Sequence, residues 1–216
     1  MHDRGDRYPG YDVLAKWSGT SWNDKTREVI TRRLSITPEP RFFTRDEYAT
    51  VVAIAGRIIP QPIDRPPVPI AALIDRKLQE QVMDGYRVSG MPRDGQAWRL
   101  GLKALNAEAQ AAYGQRFAEL PDALGDKLLR SAASGELKAA EWGDMSPDVF
   151  FKKRMGHDIV FAYYAHPTAW SEIGWGGPAS PRGYVRLGFN ERDPWEAAEA
   201  KEGNDAMARR SNRNVR

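Results

Sequence analysis

Histidines are the first residues to consider for metal chemistry in this 216-residue chain, because it contains no cysteine. The lack of cysteine excludes disulfides, thiolate catalysis, iron–sulfur ligation and thiolate-rich zinc sites. His157 and His166 are nine residues apart, so on one helix they lie on opposite faces and cannot jointly hold a metal. His166 before Pro167 indicates a cap on the last carbonyls of its helix, and His157 beside Asp158 indicates a surface pair. No metal site is predicted.

A nucleotide-binding pattern occurs formally at residues 174–179, which satisfy a relaxed G-x-G-x-x-A. Such a motif binds a pyrophosphate when it follows an apolar strand and opens a helix. Here it follows a helical segment, and Pro178 and Pro181 prevent a helix from starting. We therefore predict no cofactor in this chain.

Nucleophilic and acid–base catalysis are equally poorly supported. The chain has no Gly-x-Ser-x-Gly elbow, and its serines lack an identifiable histidine base. Asp144, Asp148 and Glu172 are conceivable acids and bases, as any carboxylates are. Asp148 follows Ser146-Pro147 in a first helical turn, where the helix dipole favours an anion. No catalytic residue is predicted.

Residues 165–184 combine tryptophans with glycines and prolines, and we interpret them as a binding surface. Glycine permits close backbone approach, proline fixes φ, and tryptophan supplies a large apolar area, which together favour a packed contact over a reaction centre. The alternative is a self-packed cap in which Trp170 and Trp175 are buried; the Gly-Pro surface around Trp175 would still be able to face a partner. The predicted partner-binding residues are Trp170, Gly174, Trp175, Gly176, Gly177, Pro178, Pro181 and Tyr184.

The surrounding elements that position this loop are predicted to be helices. Thr44 and Glu47 form a capping box, and apolar residues then recur at helical spacing. Phe151, Met155, Ile159 and Ala162 share the same spacing before the loop, which should bury one helix face. The fold class is all-α, an irregular bundle of about five main helices with long Pro/Gly-rich connections. The helices are predicted near residues 23–34, 44–59, 70–78, 96–113, 121–134 and 146–164, the first being short and dependent on other contacts.

Composition indicates an ordinary globular chain with 41% hydrophobic and 28% charged residues. We predict an N-terminal arm with a short helix at 1–41, one helical domain at 42–200 and a basic, disordered tail at 201–216. No apolar run is long enough to span a membrane. The basic excess lies mainly in the tail, so no nucleic-acid binding is predicted. Residues 1–16 are charged and lack the apolar region of a secretory signal.

The loop at 165–184 resembles that of the gluconate 2-dehydrogenase subunit 3 family. Upstream motifs extend the resemblance over roughly 42–195: Ile58-Ile59-Pro60, the 69–75 segment and Phe150-Phe151. The resemblance implies a non-catalytic accessory subunit that supports folding, export or assembly of a flavin-dependent dehydrogenase of the glucose-methanol-choline (GMC) type. The partner would carry FAD, and such complexes commonly include a cytochrome c subunit.

The resemblance also implies a periplasmic or cell-envelope location, reached by way of a partner's export signal. The Arg32-Arg33 pair superficially matches a twin-arginine signal, but Pro38 and Pro40 follow where its hydrophobic segment would be. Residence in the cytoplasm is the alternative location. The alternative function is a self-contained helical protein with its own small-ligand pocket.

Overall fold

The computed structural model describes residues 6–63, 65–85, 88–180 and 183–215. Within these ranges the regular structure is helical, which confirms the all-α prediction, with more helices than the five expected. The α-helices are α1 (Asp24–Leu34), α2 (Arg45–Ile58), α3 (Ile70–Gln79), α4 (Asp94–Tyr113), α5 (Asp122–Ser134), α6 (Pro147–Phe150), α7 (Gly156–Tyr164), α8 (Pro167–Glu172) and α9 (Asp205–Arg213). No helix in the described ranges has the length and hydropathy that a membrane span requires.

Local sequence signals account for several helix ends. The Asn23 side chain accepts a hydrogen bond from the Thr26 amide at the start of α1. Thr44 and Glu47 form the predicted capping box of α2. Gly114 and Gly135 end α4 and α5 in the left-handed conformation, which glycine adopts without steric cost.

The helix that leads to residues 165–184, which we call the aromatic loop, contains a π-helical segment that the apolar periodicity did not predict. α6 continues through this segment, Phe151–Met155, into α7. Phe150 and Met155 are both fully buried, although they are five residues apart. A π turn brings residues at that spacing onto one face, so Phe150 rather than Phe151 begins the buried stripe.

The chain divides into two compact units, whereas the sequence predicted an arm, one domain and a tail. Unit 1 comprises Met1–Ile36, Ile63–Val68 and Tyr164–Arg216, and unit 2 comprises Thr37–Pro62 and Pro69–Tyr163. The terminal segment forms α9 instead of a disordered tail. Ala208, Asn212 and Val215 are buried, and this burial stabilises a segment whose other residues are mostly polar. The predicted 1–41 arm is likewise mostly part of a folded unit.

Unit 1 is built on a small aromatic core to which distant parts of the sequence contribute. A 3-10 helix at Val13–Lys16 contacts α8, and the Asn23 amide donates to the Ser180 carbonyl at 2.8 Å. The unit therefore joins both ends of the chain around a common apolar centre. The buried members of this core are Tyr11, Val13, Trp22, Ile30, Trp170 and Val215.

Unit 2 contains α2 to α6, the π segment and most of α7, packed around Trp98. The Trp98 ring lies edge-on to Phe43 and to Phe150, with centroids 5.9 and 5.8 Å away. The Asp75 carboxylate accepts hydrogen bonds from the backbone amides of residues 41, 42 and 43 at 2.8–3.1 Å. These bonds fix the chain as it enters α2.

Candidate functional site

The aromatic loop is held at its entrance by His166, which plays a different role from the one predicted. Its Nδ1 accepts a hydrogen bond from the Thr168 amide at 3.3 Å, so it caps the start of α8 rather than the end of α7. Pro167 at the first position of α8 favours this geometry, since proline is preorganised there. Burial, and secondarily the charge of Arg33, lowers the pKa of His166 to about 4.

Trp170 lies in the core of unit 1 and is only 1% exposed. Its Nε1 donates to the Tyr164 carbonyl at 2.6 Å, and the Arg33 guanidinium lies 5.7 Å from the ring centroid. The indole thus satisfies its donor inside the protein, as buried tryptophans usually do. This burial removes Trp170 from the surface that we predicted to contact a partner.

The glycines of the loop serve close packing within unit 1. A Cβ on Gly174 would lie 2.5 Å from the Tyr8 ring, and one on Gly177 would lie 3.1 Å from Trp170. Both residues have φ of +68°, a conformation that favours glycine. Gly176 accepts a short hydrogen bond from the buried Lys16 ammonium. These contacts hold the loop against its own chain.

Trp175 is the loop tryptophan that reaches the surface, with 40% of its area exposed. Its ring meets Trp170 edge to face at 4.9 Å, and its amide donates to the Trp170 carbonyl at 2.9 Å. Trp170 of the same chain therefore covers one side of the Trp175 ring. The exposed part of the ring is available to a second molecule.

Trp175 lines a cleft of about 350 Å³ that we call the aromatic cleft. Its aromatic walls are Tyr8, Trp175, Tyr184 and Trp195. Gly174, Gly176 and Gly177 line it as well, so most of the predicted loop residues meet in one place. Tyr8 and Trp195 were missed, because nothing in their local sequence indicates that they meet residues so distant along the chain.

A run of exposed apolar residues continues from the aromatic cleft along the sequence, and we call it the apolar strip. Tyr184, Val185, Leu187 and Phe189 are between 69% and 94% exposed. The buried Asp193 carboxylate accepts a hydrogen bond from the Leu187 amide at 3.2 Å, which holds this segment in a bend. Four large apolar side chains this exposed within six residues are unusual for a surface that contacts only water.

The remaining loop residues in the prediction are Pro178 and Pro181. Pro178 is partly buried, and Pro181 lies outside the described residues. Residues 175–179 form no helix, so the relaxed glycine pattern at 174–179 lacks the helix N-terminus that would hold a pyrophosphate.

Unit 2 contains a second arrangement of charged residues, centred on Asp158. Asp158 is 2% exposed, so the prediction of a surface pair with His157 was wrong. Its carboxylate accepts from the Trp98 indole at 2.8 Å and from the Lys77 ammonium at 2.9 Å. The Arg154 guanidinium also contacts it at 3.3 Å. Tertiary packing of three helical segments therefore buries a residue that appears solvated in the sequence.

Asp84 and Asp94 complete this buried charge cluster. Arg154 contacts the carboxylates of both at 2.8 Å, and Lys77 contacts Asp84 at 2.8 Å. Burial acts to raise the pKa of Asp84, but hydrogen bonds from Lys77 and Arg154 outweigh it and hold that pKa below its ordinary value. Burial likewise acts to lower the pKa of Lys77, and its bonds to the two aspartates raise it overall.

Asp84, His157 and Asp158 place potential metal-ligand atoms within 4.8 Å of one another. The Lys77 ammonium already bonds both carboxylates, at 2.8 and 2.9 Å. An ammonium at this position supplies the positive charge that a metal ion would otherwise provide. The cluster is therefore explained as a buried ion-pair network.

Asp148, a possible acid or base in the sequence, lies at the start of α6 as expected for a helix-stabilising anion. It accepts from the Ser146 hydroxyl at 2.5 Å and from the Lys152 ammonium at 3.2 Å. The Ser146 bond, followed by the Lys152 bond, lowers the pKa of Asp148. These contacts give it a structural role in the first turn.

Comparison with known proteins identifies the family. The family model for gluconate 2-dehydrogenase subunit 3 matches residues 45–177, more than half of the chain. No curated protein and no solved structure matches the chain. The matched range includes the buried charge cluster and ends inside the aromatic loop, so the apolar strip lies beyond it. This chain belongs to the gluconate 2-dehydrogenase subunit 3 family.

Proposed function

We propose that this chain is a non-catalytic accessory subunit that binds a flavin-dependent dehydrogenase of the GMC type and supports its folding, export or assembly. Family membership supports an accessory role in a dehydrogenase complex. The observation that carries the proposal is the exposed apolar surface formed by Trp175 and the apolar strip. Large exposed apolar patches mark interaction sites, and protein–protein interfaces are among them.

The aromatic cleft is expected to form the centre of this proposed interface. Trp175 is fixed by Trp170 beneath it, while Tyr184 and Trp195 complete the walls. Preorganised aromatic side chains at the centre of an interface are typical hot spots, because they bury a large area with little loss of conformational entropy. We therefore expect a partner side chain to enter the cleft while the apolar strip packs around it.

Binding is tested by co-expressing the chain with the GMC-type dehydrogenase of the same organism and isolating the complex through a tag on the dehydrogenase. Trp175→Ala should weaken the complex more than tenfold, corresponding to about 2 kcal/mol or more for an interface anchor. Leu187→Ser with Phe189→Ser should also weaken it. Thermal unfolding of the isolated chain should change little in the Leu187→Ser, Phe189→Ser variant, whereas Trp175→Ala also loses the edge-on contact with Trp170 and should lower the unfolding temperature modestly.

Phe161→Ser is the matched control, because Phe161 is a large exposed aromatic residue of unit 2. It should leave the complex intact. If Trp175→Ala lowers the unfolding temperature but leaves binding unchanged, the aromatic loop is a core lid and the interface proposal is wrong. A chain that never co-purifies with the dehydrogenase would refute the accessory role itself.

The flavin in this proposal belongs to the partner, with a cytochrome c subunit as a further component. An absorbance spectrum of the isolated chain is expected to lack flavin and haem bands, and the co-purified complex should show a flavin spectrum. A yellow or haem-coloured preparation of the isolated chain would contradict this assignment. Dehydrogenase activity in the isolated chain would contradict the non-catalytic role.

We also propose that the complex resides in the periplasm or cell envelope, which rests on the family resemblance. Fractionation of cells with and without the partner gene tests both the location and the dependence on the partner. The chain should be in the envelope fraction only when the partner is present. Recovery in the cytoplasm under both conditions would favour the alternative location.

A further inference from the structure

Unit 2 contains a cleft of about 500 Å³ at the start of α4, which we call the α4 cleft. Its volume is within the range of small-molecule sites. The apolar part of its lining consists of Phe42, Leu78, Val82 and Met83. Val82 and Met83 are each about half exposed, so the cleft has an apolar wall that is open to solvent.

Asp94 also lines the α4 cleft and has an unsatisfied oxygen. The residue is 6% exposed, and its Oδ1 pairs with the Arg154 guanidinium at 2.8 Å. Its Oδ2 is buried without a hydrogen-bond partner among the described residues. A buried carboxylate oxygen without a donor is costly, and such an atom calls for a specific explanation. Burial also raises the pKa of Asp94.

The charges around Asp94 indicate which kind of donor is missing. Among the described residues this cluster has three carboxylates, on Asp84, Asp94 and Asp158, against two cations, Lys77 and Arg154, which leaves an excess of one negative charge; Asp84 and Lys77 are partly exposed, whereas Asp94 and Asp158 are buried. Buried charges are normally paired. A positively charged donor would supply both the missing hydrogen bond and the missing charge.

The arginines at the edge of the α4 cleft do not supply this donor. Arg99 pairs with Glu47 at 3.3 Å, and its guanidinium lies 4.5 Å from the centre of the Phe42 ring. Arg93 is exposed to solvent, where its charge is screened. Neither Arg93 nor Arg99 therefore donates a hydrogen bond to Asp94 Oδ2.

We propose that the α4 cleft binds a small primary amine with an apolar body, whose ammonium donates to Asp94 Oδ2. The apolar body lies against Phe42, Leu78 and Val82. A carboxylate placed at Asp94 Oδ2 is disfavoured by the charge of Asp94, and an alcohol supplies the hydrogen bond without the positive charge. Because Oδ2 is buried, side chains that line the cleft must shift to admit the ammonium. Met83 is unbranched and adaptable, which suits it to such a movement.

The ligand chemistry is tested with n-hexylamine, 1-hexanol and hexanoate, titrated into the full chain by calorimetry and by NMR. Hexylamine should bind at least tenfold more tightly than either analogue. Asp94→Asn should weaken hexylamine binding at least tenfold. Asp122→Asn is the matched control, because Asp122 occupies the first turn of α5 but is exposed, and it should bind hexylamine as the unaltered chain does.

A second pair of variants keeps the test valid if Asp94→Asn fails to fold. Gln96 lines the α4 cleft, is exposed and lies in the first turn of α4. Gln96→Glu should tighten hexylamine binding several-fold, and Gln96→Lys should weaken it by a similar factor. Absence of hexylamine binding, equal binding of hexanol, or equal affinity in the two Gln96 variants would each overturn the proposal. These outcomes are independent of the proposed accessory function, which is measured through unit 1 and a dehydrogenase.

Discussion

At the residue scale, Trp98 links the apolar core of unit 2 to the buried charge cluster. Its ring is fully buried between Phe43 and Phe150, while its Nε1 donates to Asp158. One side chain therefore fills volume and satisfies a buried carboxylate. Loss of the ring and loss of the hydrogen bond should therefore make separable contributions to the free energy of unfolding.

Substitution of Trp98 is expected to be among the most destabilising changes in unit 2. Trp98→Ala should cost about 3–5 kcal/mol, because it creates a cavity and removes a donor to Asp158. Trp98→Phe keeps most of the apolar volume and should cost about 1–3 kcal/mol, mainly through the unsatisfied carboxylate. Urea denaturation measures both. Equal costs for the two variants would show that the lost ring volume contributes little, whereas a cost near zero for Trp98→Phe would show that the hydrogen bond to Asp158 contributes little.

His166 makes the stability of unit 1 depend on pH. Its folded-state pKa of about 4 lies below the ordinary value of 6.5, so the unfolded chain binds the proton more readily. The contribution of neutral, buried His166 to the free energy of unfolding is therefore fully present above pH 6.5 and is lost as the pH falls towards 4. At about 1.4 kcal/mol per pKa unit, the loss reaches about 3 kcal/mol.

His166→Asn should reduce this loss of stability between pH 6.5 and 4. Asparagine also caps helices through a side-chain oxygen, but it does not titrate. The measurement is the free energy of unfolding at several pH values. His157→Asn, which leaves His166 in place, should retain the acid-dependent loss; if His166→Asn retains it too, His166 is not its source.

At the element scale, the space around a helix position, rather than intrinsic helix propensity, determines whether a side chain larger than glycine is tolerated there. A Cβ on Gly101 in α4 would lie 2.3 Å from the Phe150 ring, and Phe150 is fully buried. A Cβ on Gly56 in α2 would meet nothing within 4 Å. Both glycines lie within helices, where alanine is intrinsically favoured by about 1 kcal/mol.

Alanine substitutions at these two glycines should therefore have opposite effects. Gly101→Ala should destabilise the protein by about 1–3 kcal/mol, because overpacking against a buried ring exceeds the gain in propensity. Gly56→Ala should stabilise it by up to about 1 kcal/mol. Thermal and urea unfolding provide the comparison. A stabilising Gly101→Ala would mean that Phe150 can move aside at little cost.

At the scale of the whole molecule, unit 1 depends on residues near both chain ends. The Asn212 side chain on α9 donates to the Pro9 and Ala198 carbonyls at 3.0 Å each and accepts from the Ala198 amide at 2.6 Å. Asn212 is 1% exposed, so water cannot replace these partners. One side chain thus connects three separate segments of unit 1.

Asn212→Ala should destabilise unit 1 by about 1–3 kcal/mol, since it leaves buried backbone groups unsatisfied. Hydrogen exchange should show lost protection at residues 8–17 and in α9. Asn214→Ala is the control, because Asn214 is exposed and bonds only within its own helix end. Unchanged protection in Asn212→Ala would indicate that the apolar contacts of α9 hold the segments together without these bonds.

The sequence alone predicted most of the helices because the responsible interactions are local. The capping box at Thr44 and Glu47 and the terminal glycines Gly114 and Gly135 each act within a few residues. Apolar periodicity likewise depends on neighbouring turns, so α2 and α4 were predicted close to their observed bounds. The family resemblance was also carried by residues that the sequence displays directly, and it was confirmed.

Tertiary structure alone decided which side chains are buried and which meet to form sites. Asp158 appears solvated beside His157, yet its partners Trp98 and Lys77 come from positions 60 and 81 residues away. Trp170 and Trp175 look equivalent in the sequence, but only Trp175 has a large exposed area. Tyr8 and Trp195 reach the same cleft from opposite ends of the chain. Such juxtapositions depend on packing between distant segments, which local periodicity and spacing do not specify.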